Sequence, residues 1–153
     1  MVLVSSMIQS GLQAVLRPGV WVPGIRDLHR HRESWRTKIP ARDFMKLTLT
    51  ALETLIKSDT KGTYYDIHKL DEQECFIRIL VFTWAEWLDV VEIQFYDNQA
   101  EVYSFSSGFL PVCVPFAFVL NAVLCFIPFS DLNLNKERID QLRRAMGIDI
   151  EVN

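Results

Sequence analysis

The sequence predicts an α+β domain: an antiparallel three- to four-stranded meander with two helices packed on one face, plus an apolar helical insertion. Three observations predict this class. Residues 41–57 and 136–146 carry apolar side chains at helical spacing, while the stretch between them holds short Ile/Val/Phe-rich runs separated by turn residues. The helices therefore flank the strands instead of alternating with them. A charge-free run of twenty-one residues, Phe109–Phe129, then interrupts the step from the last strand to the last helix. With 153 residues, half of them apolar, the chain has material for one well-packed core and is no disordered tail.

The first sixteen residues have no charge, and Val4, Met7, Ile8, Leu12, Val15 and Leu16 recur at helical spacing. Such a helix reaches about 24 Å, short of a bilayer core. No basic residue precedes it, so a secretory signal is not expected. The absence of acids before Asp27, with Ser and Arg present, fits an organellar setting such as a plastid or mitochondrion.

Charge is concentrated next. From Arg17 to Lys46 eight basic residues face three acids, a balance of +5, and the rest of the chain stands at −8. Pro18, Gly19, Pro23, Gly24 and Pro40 make this basic arm read as a wrapping loop. Its cations, Arg26, Arg30, Arg32 and Arg36 among them, either pair with the acidic body or meet anionic headgroups. Residues 1–40 are thus expected as an N-terminal segment and arm, and residues 41–147 as a single domain with its insertion at 109–129.

Within that domain Ala41–Lys57 is the clearest helix, with Asp43 and Lys57 placed to suit its dipole. Glu74–Thr83, Leu88–Tyr96 and Glu101–Ser106 read as strands, the last two joined through Asp97-Asn98. Thr63–Leu70 is a further candidate. The closing helix is expected from Lys136 to Met146, with Asn135 as its N-cap and Gly147 beyond its end.

The insertion has membrane-crossing length, but Pro111, Pro115 and Pro128 limit its helix to about Phe116–Ile127, only about 18 Å. That suits an interfacial element or a partner's groove, with Phe109, Phe116, Phe118, Leu120, Leu124, Phe126 and Phe129 as docking side chains. Asn121, in mid-run, requires a buried partner.

Trp87-Leu88-Asp89-Val90-Val91-Glu92-Ile93 resembles the "FvDDvEf" strand of the domain-of-unknown-function family 1499. Val102–Ser107 and Pro128–Ile139 are similar to that family's closing pattern, roughly "vRSaSRvGysDlGvNrkRi". Tyr103 and Ser107 replace the pattern's two arginines, Val90 its second Asp, and Asn133 a glycine. Relative to it, residues 108–127 read as an insertion. The resemblance points to Asp89, Glu92, Ser104, Asp131, Asn135 and Arg138 as motif residues of unknown role, and implies no reaction.

Asp89 and Glu92 are three apart on a strand, hence on opposite faces. Asp131 and Asn135 read best as turn and helix-cap residues. His29 and His31 have no carboxylate or thiol cluster beside them and read as surface histidines; His68 is isolated. Trp84 and Trp87 read as core or interface anchors. No nucleophile, zinc, phosphate-loop or dinucleotide motif occurs, so neither catalytic residue nor metal nor cofactor is expected. Cys75, Cys113 and Cys125 lack CxxC spacing, which fits a reducing compartment without disulfides. A net charge of −3 argues against nucleic acid. The expectation is a non-enzymatic protein held at a membrane, or a small subunit of a membrane complex, through its insertion. The alternative is a soluble binding domain for a lipid or other apolar ligand. An enzyme centred on Asp131 is a distant third.

Overall fold

The computed structural model describes residues 4–16, 30–108, 110–124 and 134–153. Among them the order is α1 (Val4–Leu16), β1 (Arg30–Arg36), α2 (Ala41–Ser58), β2 (Tyr64–Asp71), β3 (Phe76–Phe82), β4 (Leu88–Tyr96), β5 (Gln99–Ser106), α3 (Ala117–Val123), α4 (Leu134–Met146) and β6 (Glu151–Val152). The α+β class is as predicted, but the antiparallel sheet has six strands, in the order β2-β3-β4-β5-β1-β6. Strands β2 to β5 are the predicted meander. The two additions lie beyond β5: β1 comes from the basic arm and β6 from the C-terminus.

Alternation sorts the side chains of β4 between two cores. Val91, Ile93 and Phe95 face α2 and α4, joining Trp35, Phe44, Leu52, Ile77, Ile79, Val102, Ile139 and Leu142 in the larger core. Leu88 and Val90 face the other way, with Leu80, Phe82 and Phe105, and are covered by Ala14 of α1 and Val112 of the insertion. Helix α2 is amphipathic: Phe44, Met45, Thr48, Ala51 and Leu52 are buried along one stripe. Asn98, at φ 65, turns β4 into β5, a left-handed conformation Asn tolerates well. The two predicted helices do share a sheet face. The opposite face, in addition, carries α1 and the insertion.

Of the predicted Phe116–Ile127 helix, residues 125–127 lie outside the described residues. Phe116 stands at φ 60 as the N-cap, and α3 runs seven residues from Ala117 to Val123. No helix among the described residues is long and apolar enough to cross a membrane.

Candidate functional site

Helix α1 is seated with its polar side inward. Ser6, Ser10, Gln13 and Ala14 are buried, while Met7 and Leu12 are exposed and Val4 and Ile8 are 74% and 68% exposed. The inward groups reach the sheet and its loops by hydrogen bonds. Ser6 Oγ donates to the Glu86 carboxylate. Gln13 Nε2 donates to Ser107 Oγ at 2.8 Å, and Ser107 Oγ donates to the Leu88 carbonyl at 2.7 Å. Gln9 Nε2 donates to the Val112 carbonyl at 3.2 Å. Ser10 Oγ closes on its own helix at the Met7 carbonyl, 2.7 Å away. The Nε2 atoms of Gln9 and Gln13 are bonded in this way, the buried side-chain oxygens Gln9 Oε1 and Gln13 Oε1 have no hydrogen-bond partner among the described residues, and the helix turns its apolar stripe to solvent.

Helix α3 packs beside α1 and has the same outward character. Its inner side holds Ala117 and Asn121. Asn121 has the partner the sequence demands: its Oδ1 accepts from Leu110 N at 2.7 Å and its Nδ2 donates to Leu110 O at 3.1 Å. Outward stand Phe116, 70% exposed, Val123, 65% exposed, and the exposed Val119 and Leu120. Phe118 and Leu124 are half-buried. Neither helix contains a charged residue. The predicted docking residues Phe109, Phe126 and Phe129 lie outside the described residues, as do Arg26 of the arm and the motif residue Asp131.

The β3–β4 loop adjoins this surface. Glu86 takes φ 60, its N–H donates to Thr83 O at 2.9 Å, and its carbonyl accepts from Val112 N at 2.8 Å. This tight loop holds Trp84 80% exposed and Trp87 half-exposed. On the same side of the sheet, Arg30 lies 5.7 Å from the Tyr103 ring centroid and donates to its hydroxyl, and Arg32 pairs with Glu101 at 3.0 Å. Arg36, at the end of β1, lines a separate shallow groove with Lys38, Asp149 and Glu151.

No protein-family model, curated protein or solved structure matches this chain.

The motif residues of the family-1499 resemblance divide between two places. Asp89 accepts from Arg138 Nη1 at 2.5 Å, and Ser104 Oγ donates to Asn135 Oδ1 at 2.7 Å. Asn135 Nδ2 in turn donates to Ser106 Oγ at 3.0 Å. With Arg143 Nη1 on Glu33 at 2.9 Å, these contacts fasten α4 to β4, β5 and β1 in turn. Asn135 is the second residue of α4, not the residue before it, and its buried amide runs to the sheet. Glu92 lies on the opposite face, as the spacing predicts, bonded to Arg78 Nε at 2.7 Å. This group is a docking seam for a helix, buried or half-buried throughout.

His31 is not the lone surface histidine expected: its Nε2 is 2.8 Å from Glu33 Oε1. Among the described residues no group of three His, Cys, Asp or Glu is arranged to hold a metal ion, and Cys75 and Cys113 are free thiols. The inward stripe of α1 escaped the sequence reading, although Ser6, Ser10 and Gln13 stand at helical spacing opposite the apolar side. Glu33 and Arg143 carry no such signal, being 110 positions apart.

Proposed function

We propose that this chain is a non-enzymatic membrane-surface protein, lying on the bilayer interface through α1 and α3 and working in a reducing, organellar compartment as a diverged relative of family 1499. The observation that carries the docking reading is the seating of α1, whose polar side is in the fold and whose apolar side is in water. A helix selected only to cover the sheet would be oriented the other way round.

Energetics support the reading. Eight exposed apolar side chains (Val4, Met7, Ile8, Leu12, Phe116, Val119, Leu120 and Val123) stand on α1, on α3 or at the N-cap of α3, and the two helices pack against each other. Burying such a residue fully contributes roughly 1.5–3 kcal/mol, and since on average about half of each side chain is already buried, the eight together offer about 10 kcal/mol before ordering costs. No ion on either helix has to be desolvated. The helices are too short to cross, which suits an orientation in the plane of the interface. Trp84 and Trp87 stand at its margin, where indole rings favour the headgroup level. Arg30 and Arg32, on the same side of the sheet, favour anionic lipid.

Vesicle flotation tests this. The chain is expected to float with vesicles containing anionic lipid and to resist a carbonate wash. Ile8→Glu with Leu12→Glu is expected to remain at the bottom of the gradient while still unfolding in a single cooperative transition, because both side chains are exposed. A wild-type protein that stays at the bottom, or a double variant that floats as well as wild type, overturns the reading.

A further inference from the structure

At the end of the sheet where the β3–β4 loop turns from α1 toward α4, an open groove of about 270 Å³ is lined by Trp84, Trp87, Asp59, Lys61, Glu137 and Arg138. We propose that this groove binds a phosphocholine headgroup; the assignment rests on the membrane-surface reading and names the lipid chemistry that it recognises.

The lining holds two cations and two carboxylates with two indoles, and that combination restricts the ligand. A simple anion would approach Lys61 and Arg138 only by meeting Asp59 and Glu137. A simple cation would meet the reverse difficulty. A zwitterion with its charges a few bonds apart satisfies both sets. The indoles favour a quaternary ammonium, which aromatic faces attract and which, unlike a primary ammonium, needs no hydrogen-bond acceptor from Asp59 or Glu137. The volume suits a headgroup and not an acyl chain, being just below the roughly 300–1,000 Å³ of pockets for drug-sized ligands. The acyl chains would therefore stay outside the groove, which opens at the strand ends on the α4 side of the sheet.

The charges are held ready for this task. Arg138 is anchored through Nη1 to Asp89, buried behind it, so its guanidinium keeps its place in the groove wall. The Asp59 carboxylate accepts from Lys61 N at 3.0 Å and Thr63 N at 2.6 Å in the turn made at Gly62, φ 75. Burial disfavours its charge, but those backbone hydrogen bonds outweigh that and hold the carboxyl below its ordinary range. Lys61 and Glu137 make only a long, exposed contact of 3.8 Å, which a ligand can open at little cost. Tyr65 lines the same groove, and burial pushes its hydroxyl pKa up, leaving it a neutral donor for a phosphate oxygen.

Tryptophan fluorescence and calorimetry on the full chain, with soluble phosphocholine and no lipid present, test the groove. Saturable binding is expected, with choline and inorganic phosphate each roughly tenfold weaker or worse. Trp84→Ala and Lys61→Ala, both at exposed positions, are expected to weaken phosphocholine by a similar factor without moving the thermal midpoint. Absence of saturable binding, phosphate binding as tightly as phosphocholine, or a Trp84→Ala variant that binds like wild type overturns the proposal. Ile8→Glu with Leu12→Glu separates the two readings: it is expected to keep phosphocholine binding while losing flotation. Wild-type flotation without phosphocholine binding overturns the groove alone, and phosphocholine binding without flotation overturns the docking face alone.

Discussion

Glu33 is a carboxylate whose burial alone would push its pKa up. Hydrogen bonds from His31 and from Trp35 Nε1, the latter at 2.7 Å, together with the charge of Arg143, outweigh that and hold it below its ordinary 4.5. A carboxyl whose folded pKa lies below its unfolded one stabilises the fold above the unfolded value. That contribution disappears as pH falls through the folded value. Stability is therefore expected to decline on acidification below about pH 4.5. Glu33→Gln is expected to be less stable at pH 7 and to show a flatter decline in that acid range. Urea midpoints at stepped pH check this, and equal slopes for the two proteins would sink it. None of it was legible beforehand, because Glu33 in an Arg- and His-rich stretch reads as one more solvated charge until the fold brings Arg143 to it. Asn121 is the opposite case: a lone amide in an apolar run announces that it needs a partner, though not that Leu110 is the one.

Among elements, the insertion depends on a close approach that its own composition hides. Gly108 lies against the Asn121 carboxamide so tightly that a Cβ there would overlap it. Gly108→Ala forces that amide away from Leu110 and strands buried polar groups, each costing about 1–3 kcal/mol. A drop in thermal midpoint of several degrees is expected, with hydrogen exchange quickening in α3 and at Leu110 before it does in β3 and β4. Uniform quickening across the sheet would contradict this local role. Strands β2–β5 were readable because their apolar runs are broken by turn residues. Strand β1 was not, since Arg30–Arg36 has only Trp35 as a large apolar inward residue and relies on Glu33 and its partners for the rest. Strand β6 is two residues long and has no pattern to read. The seam under α4 was visible as a set of motif residues, but its purpose was not, because only the fold shows Asp89 and Ser104 pointing at the same helix.

The whole molecule is one sheet with two unlike faces. The face under α2 and α4 is closed by large apolar side chains from both sides. The other face changes character along its length. It is apolar beneath α1 and the insertion, then polar where Arg78 meets Glu92 and Arg32 meets Glu101. Hydropathy that the sequence concentrates at 1–16 and 109–129 thus reappears, as far as the described residues extend, on one side of the fold. An apolar patch confined to one side has a geometric consequence in plain buffer. Two copies can hide it by meeting face to face about a two-fold axis, and the pair then has no copy of that patch left to add a third. Lipid-free protein is accordingly expected to run as a dimer by light scattering, to become monomeric in mild detergent, and to be monomeric throughout as Ile8→Glu with Leu12→Glu. Open-ended growth with concentration would place a second sticky surface elsewhere. The solution dimer, on this account, is the bilayer's stand-in: each copy serves the other as the apolar floor it lacks in water.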